Sequence, residues 1–226
     1  MDVSKPLFIT GIGTDVGKTM VSAIVTEALG AAYWKPVQAG YDQGTDREWV
    51  EARLSHPRAR TLPEMYKLKL PASPHIAARE EDVRIDLDAI VRRSRELRSS
   101  LPVLQGQRDP EYFVIEGAGG LMVPLNEREF VVDLIKELDA RVILVSRNYL
   151  GSINHSLLTA AVCKAHGLDV VGWVFNDQYL DYEQEIKEWS GLPAIASIPM
   201  SRTPDKAFVA EQAQRVRTRL TALLHA

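Results

Sequence analysis

Short, unbroken apolar runs punctuate the chain at Leu7–Thr10, Tyr33–Val37, Tyr112–Ile115, Val142–Ser146, Val170–Phe175 and Ala194–Ile198. They are rich in Val, Ile, Leu and aromatic residues and too short for helices. Runs without the alternation of a half-exposed strand belong to strands covered on both faces. Between them the apolar positions shift to a helical period. Lys18–Leu29 repeats at Val21, Ile24, Val25, Ala28 and Leu29. Asp86–Arg98 carries Leu87, Ile90, Val91 and Leu97 on one stripe with Ser94. Ile153–His166 stops at Gly167, Tyr182–Trp189 stops at Gly191 and Pro193, and Pro204–Leu224 forms a long, polar-faced helix. Strands and helices in alternation predict an α/β fold, with a mostly parallel central sheet, helices on both faces and right-handed crossovers. Gln38–Thr45 and Thr61–Pro74 read as long loops, and Gln105–Pro110 as a surface connector. No repeat, low-complexity tract or linker divides the pattern, so residues 1–226 are expected to form a single domain.

The connection from the first strand to the first helix reads Gly11-Ile12-Gly13-Thr14-Asp15-Val16-Gly17-Lys18-Thr19. A glycine-rich turn in that setting is a phosphate-binding loop. Backbone N–H groups and the helix N-terminus offer unpaired donors to phosphate oxygens. Lys18 is then placed for the β- and γ-phosphates and the Thr19 hydroxyl for Mg²⁺. The fold expected is therefore a single-domain P-loop NTPase. The spacing is a variant, since G-x-x-x-x-G-K-[ST] asks for glycine at position 12 and the chain has Ile12. The plainer alternative is a glycine turn beside an exposed Lys18.

Other charged positions fall at predicted strand ends, where ligands sit in parallel sheets. Lys35 ends the second strand, either facing the crevice of Lys18 or solvated between aromatics. Two lysines around a triphosphate would suit a reaction that builds negative charge. Glu116 ends a buried strand before Gly117-Ala118-Gly119-Gly120, either as a metal-associated carboxylate beside glycines that allow close backbone approach to a ligand or as a plain charged strand terminus before a turn. Asp46 stands at a predicted helix start, as an N-cap or as a second carboxylate near Mg²⁺. Asn176 ends the strand through Phe175, either to read an adenine edge or to form a turn with Asp177. His56, His75, His155, His166 and His225 make no H-x-x-x-H or H-E-x-x-H pattern, so zinc hydrolysis has no support. Cys163 reads as a buried structural thiol on its apolar helix.

Composition narrows the class further. Apolar residues make up 46% and charged residues 25%, the ordinary globular balance, which excludes coiled coil and wholesale disorder. A net charge of −3 gives no electrostatic basis for binding nucleic acid or an anionic membrane. One cysteine makes neither an internal disulfide nor a thiolate cluster, so a reducing compartment, the cytoplasm, is expected. No apolar run approaches the ~18–20 residues of a membrane span, and the first residues carry no apolar signal core.

The motifs together resemble the dethiobiotin synthase family. The blocks are Thr10-Gly11 with Thr14-Asp15-Val16-Gly17-Lys18-Thr19, Lys35-Pro36-Val37-Gln38, Ser73-Pro74-His75, Glu116-Gly117-Ala118-Gly119-Gly120 and Leu150-Gly151-Ser152-Ile153-Asn154-His155. Gly172-Trp173 and Asn176-Asp177 extend the likeness. The resemblance implies ATP- and Mg²⁺-dependent carboxylation of 7,8-diaminopelargonic acid with carbon dioxide, closing a ureido ring through a carbamate and a carbamic–phosphoric anhydride. By the same resemblance Lys18 and Lys35 would be catalytic, and Thr19, Asp46 and Glu116 would hold the metal. The nucleotide would meet Gly13, Thr14, Asp15, Val16, Gly17, Lys18, Thr19, Glu116, Asn176 and Pro199. The diamine would meet Lys35, Ala39, Gly117, Ala118 and Gly119. Gly151, Ser152 and Asn154 of one subunit would reach the partner's substrate, which implies a homodimer. Ala39 departs from the hydroxyl residue common there in relatives, a loss of about 1 kcal/mol at one hydrogen bond.

Two other classes compete. Amide-forming P-loop synthetases of the cobyrinate or CTP synthase kind usually add a glutamine-hydrolysing domain with a nucleophilic cysteine, and only the helical Cys163 is present. Partition-type nucleotide switches carry a further loop lysine where this chain has Gly13.

Overall fold

The computed structural model describes residues 5–101, 112–177, 180 and 182–225. From the N-terminal side, β1 (Leu7–Gly11) runs through the glycine loop into α1 (Lys18–Leu29). β2 (Ala32–Trp34), β3 (Val37–Ala39), α2 (Asp46–Glu51), β4 (Arg60–Leu62), β5 (Tyr66–Leu68) and α3 (Pro74–Glu80) follow. The middle holds α4 (Leu87–Ser99), β6 (Phe113–Glu116), α5 (Val131–Glu137), β7 (Arg141–Arg147) and α6 (Ser152–Ala165). β8 (Asp169–Asn176), α7 (Tyr182–Ser190), β9 (Ala194–Ile198) and α8 (Lys206–Leu224) complete it.

Seven strands form one sheet in the order β4-β2-β6-β1-β7-β8-β9, and every strand pair in it is parallel. β3 and β5 pair separately, also in parallel. Helices cover both faces, as the apolar runs predict. On one face α1 and α8 bury Val21, Ile24, Val209 and Val216 against Ile9, Val145 and Val174. On the other, α4, α5 and α6 bury Ile90, Leu134 and Cys163 with Phe8, Trp34 and Phe175. Burial stabilises each such side chain by about 1.5–3 kcal/mol relative to exposure. The Cys163 thiol is pushed up to about 12 by burial, so it stays neutral, in keeping with a structural role. No helix among the described residues is long and apolar enough to cross a membrane.

The structure corrects three expectations. The run at 33–37 is two strands, because Pro36 has no N–H to continue the ladder; the chain leaves the main sheet after Trp34 and re-enters the small one at Val37. The loops expected at 38–45 and 61–74 each contain strand residues, since β3, β4 and β5 have three residues each and carry too little pattern to stand out. α3 and α5, seven residues each, lie between the predicted elements. The connector expected at 105–110 lies outside the described residues.

Candidate active site

Register brings the chemistry together. Ile9 of β1 pairs with Glu116 at the end of β6, and Trp34 pairs with Ile115, so Lys35 leaves β2 level with Glu116. All three strand ends open on the glycine loop between β1 and α1. That loop turns through two left-handed residues, Asp15 (φ 56°) and Gly17 (φ 91°). Gly17 has a second reason to be glycine: a Cβ there would overlap the side-chain nitrogen of Asn176. Gly117 is likewise required, since a Cβ would come within 2.6 Å of the Phe8 ring.

Lys18 opens α1 and curls back over the loop, donating from Nζ to the Gly13 carbonyl at 2.7 Å. It is 7% exposed. Burial, helped by the neighbouring Lys35 charge, lowers its pKa from the ordinary value against the pull of Glu116, Asp46 and Asp15.

Glu116, 1% exposed, is the hub of the site. Its Oε1 accepts from Thr19 Oγ1 at 3.0 Å and from Lys35 Nζ at 3.1 Å. Its Oε2 accepts from the Tyr33 hydroxyl at 2.9 Å. Lys35 Nζ also donates to Asp46 Oδ2, so one ammonium ties the two carboxylates together. Burial alone would depress the Lys35 pKa, but Glu116 and Asp46 outweigh it and raise the value, keeping the ammonium charged.

The two readings of Asp46 separate here. Thr45, not Asp46, is the N-cap of α2: its hydroxyl accepts from Glu48 N at 3.2 Å, and its own N–H donates to Glu48 Oε2 at 2.8 Å. That capping box leaves the Asp46 carboxylate for Lys35. Gln38 steadies the same turn, donating to Gly40 O at 2.8 Å and accepting from Asp46 N at 3.2 Å.

These groups open on a cleft of about 860 Å³, the scale of a small-molecule site. Of the expected residues, Thr14, Asp15, Gly17, Lys18, Thr19, Lys35, Ala39, Asp46, Glu116, Ala118 and Gly119 line it. Gly13, Val16 and Gly117 are not among the lining residues; Gly13 contributes its carbonyl and Val16 is buried in the core. Asn176 is buried at the end of β8, where its amide donates to Val16 O at 2.7 Å and its Oδ1 is buried without a hydrogen-bond partner among the described residues. Pro199 is exposed just past β9. Gly151, Ser152 and Asn154 stand apart at the start of α6, where Gly151 takes φ 103°, Ser152 is buried and Asn154 is exposed.

Pro71, Ala72, Ser73 and Val123 also line the cleft. Ser73 was visible only within its motif block, and the other three carry no sequence signal of a site. The Thr45-x-x-Glu48 box had a legible signature. Tyr33 did not, beyond standing two positions from Lys35 on the same side of an extended chain.

The donor set suits Mg²⁺. Thr19, Asp46 and Glu116 offer hard oxygen donors, and an ammonium already bridges the two carboxylates. Mg²⁺ is characteristically held by one or two carboxylates with substrate phosphates and waters completing its shell. Among the described residues no group of three or more His, Cys, Asp and Glu side chains is placed to hold a metal ion.

The AAA domain family matches residues 5–207. The ATP-dependent dethiobiotin synthetase BioD of Christiangramia forsetii is 42% identical over 96% of this chain and 98% of its own length. Its counterpart from Cytophaga hutchinsonii is 51% identical over 76% of this chain and 77% of its own. The chain belongs to the dethiobiotin synthetase family. Its motif blocks therefore mark a family relationship, as the resemblance implied. The dethiobiotin synthetase fold is shared more widely. A chain of the MinC:MinD cell division protein complex from Aquifex aeolicus superposes with a TM-score of 0.62 at 11% identity, covering 99% of this chain and 97% of that one. The cell division ATPase MinD of Pyrococcus furiosus gives 0.60 at 14%, covering 96% and 99%. At that identity the likeness concerns the fold alone.

Proposed function

We propose that the protein catalyses ATP-dependent carboxylation of 7,8-diaminopelargonic acid with carbon dioxide and closes the ureido ring to give dethiobiotin, ADP and phosphate. The observation that carries this reading is the convergence of Lys18, Lys35, Thr19, Asp46 and Glu116 on one cleft in a chain of this family. The whole chain works as one catalytic domain, and its setting is the cytoplasm.

One amine of the diamine bonds to carbon dioxide and loses a proton, giving a carbamate. A carbamate oxygen then attacks the γ-phosphorus of ATP, and ADP leaves. The second amine attacks the carbamoyl carbon of the mixed anhydride, phosphate departs, a proton is lost and the cyclic urea is formed. Such chemistry needs positioning and charge neutralisation more than covalent help from the protein. Lys35, kept charged by its two carboxylates, neutralises the carbamate and the moving phosphoryl group. Lys18 holds the β- and γ-phosphates while the loop from Gly13 to Thr19 offers backbone donors to them. Asn176 Oδ1, buried without a partner among the described residues, would accept from the adenine amino group, and Pro199 would flank the base. Thr19, Asp46 and Glu116 would hold Mg²⁺, which would supply further neutralisation of the phosphates. Ala39, Ala118 and Gly119 form the substrate wall, and Gly117 begins the turn that carries Ala118 and Gly119. In a homodimer, Gly151, Ser152 and Asn154 of one subunit complete the partner's substrate pocket.

The test is turnover with Mg²⁺-ATP, bicarbonate and the diamine. Equimolar phosphate and cyclic urea are expected, and ATP turnover indifferent to the diamine would sink the reading. Lys35→Ala is expected to lower kcat by about 10²–10³, the usual loss for one electrostatic group at developing charge, while nucleotide binding persists.

A further inference from the structure

Tyr33 lies in the middle of β2, fully buried, and is not among the residues lining the cleft. Its hydroxyl nevertheless reaches the hub of the site. It donates to Glu116 Oε2 at 2.9 Å, while Thr19 and Lys35 share Oε1. The two oxygens of one buried carboxylate are thus divided. One is tied from beneath by a neutral donor, and the other faces the groups of the site.

We infer that Tyr33 is a positioning residue for metal binding, fixing Glu116 so that Oε1 alone is presented to Mg²⁺ and to Lys35. The inference rests on the proposal above that Glu116 helps to hold Mg²⁺. Three physical points support it. Mg²⁺ demands near-ideal octahedral geometry, so a carboxylate free to rotate or to chelate with both oxygens is a poorer ligand. Partners that hydrogen-bond a ligating carboxylate from behind set its orientation, and their removal typically weakens metal affinity. A phenol does this without adding a positive charge beyond the one that Lys35 already brings to Oε1.

The decisive variant is Tyr33→Phe, which removes one oxygen and keeps the ring packed in the core. The probe is Mn²⁺, titrated calorimetrically into the full-length protein saturated with ADP. Alongside it, the Mg²⁺ concentration for half-maximal turnover and the affinity for ATP in EDTA are measured. Expected are Mn²⁺ binding weakened about 10–100-fold, a parallel rise in the Mg²⁺ requirement, unchanged metal-free ATP affinity and kcat recovered at saturating Mg²⁺. A merely structural tyrosine would lower thermal stability and leave the Mn²⁺ affinity within about twofold of wild type, and that result would overturn the inference. A loss of kcat that saturating Mg²⁺ does not restore would also overturn it. Glu116→Gln in the same titration separates the two levels. If it weakens Mn²⁺ binding and Tyr33→Phe does not, only the role of Tyr33 fails. If neither changes it, the assignment of the metal to Glu116 fails as well. Tyr33→Leu, which also lacks the hydroxyl, is the second variant should Tyr33→Phe not fold, with the same expected loss of Mn²⁺ affinity.

Discussion

A lysine nearly sealed from water carries a cost before it has a ligand. Lys18 is 7% exposed, and its lowered pKa reports that burial disfavours the charged form. Among the described residues the Gly13 carbonyl accepts from it. The hydrogen bond offsets only part of the desolvation, and triphosphate oxygens would supply the rest. Lys18→Met keeps the stem and removes the charge. Burial disfavours the ammonium in the folded state, and methionine does not carry that cost. The nucleotide-free variant is therefore expected to melt higher than wild type in calorimetry while losing ATP binding. A lower melting temperature would show that the Gly13 contact outweighs the burial. At this scale the site was legible where a residue type stood in a telling frame: Lys18 and Thr19 after a glycine loop, and Lys35 and Glu116 at strand ends. Tyr33 escaped because an aromatic residue inside an apolar strand looks like core, and its hydroxyl acts on a carboxylate more than 80 positions away. Asn176 was legible as a polar strand end, but its contact with the loop beside Gly17 depends on a strand distant in sequence.

Among the elements, α2 does the most with the fewest residues. It is six residues long, buries only Val50 and is held at its start by the Thr45–Glu48 box. So short a helix has little stability of its own, and its cap matters accordingly. The unprotected alternative leaves Asp46 on a loose turn, where Lys35 would meet it less often. Thr45→Ala should cost about 1 kcal/mol, read as a melting temperature about 2–4 °C lower, with a raised Mg²⁺ requirement because Asp46 moves with the turn. A stable variant with an unaltered Mg²⁺ requirement would separate the cap from the site. The long helices and buried strands could be read from sequence because each repeats its period several times. β4 and β5 have three residues each, less than two full alternations, so polar and apolar positions within them look like loop. α3 begins with Pro74, a residue at home in a first turn but equally suggestive of a loop when read alone. The break at Pro36 shows how a missing N–H places Lys35: the chain must leave the sheet there, and the residue just before the break is turned into the crevice.

For the molecule as a whole, the strand order decides where chemistry can occur. β1 lies between β6 and β7, so its loop emerges at the centre of the carboxyl edge, beside Glu116 on one side. This explains the cleft but not the start of α6, which the cleft does not include. That region instead shows apolar side chains to water. Leu150 is 78% exposed and Leu158 57%, on either side of the Gly151, Ser152 and Asn154 segment. Large exposed apolar groups flanking polar positions are characteristic of a subunit contact. Association of two copies would cover both leucines and carry the segment to a substrate pocket it does not reach in its own chain. Sedimentation is accordingly expected to give twice the 25.2 kDa chain mass. Leu158→Glu places a charge in the contact proposed for the dimer and should shift the protein toward monomer. Because Lys18, Thr19 and Glu116 belong to one chain, the monomer should retain Mg²⁺-ATP affinity. Its KM for the diamine should rise by roughly tenfold or more, the loss of about 1.4 kcal/mol of binding, since the partner's part of the pocket is gone. A Leu158→Glu monomer with wild-type KM would confine the whole site to one subunit and leave residues 151–154 without a part in it.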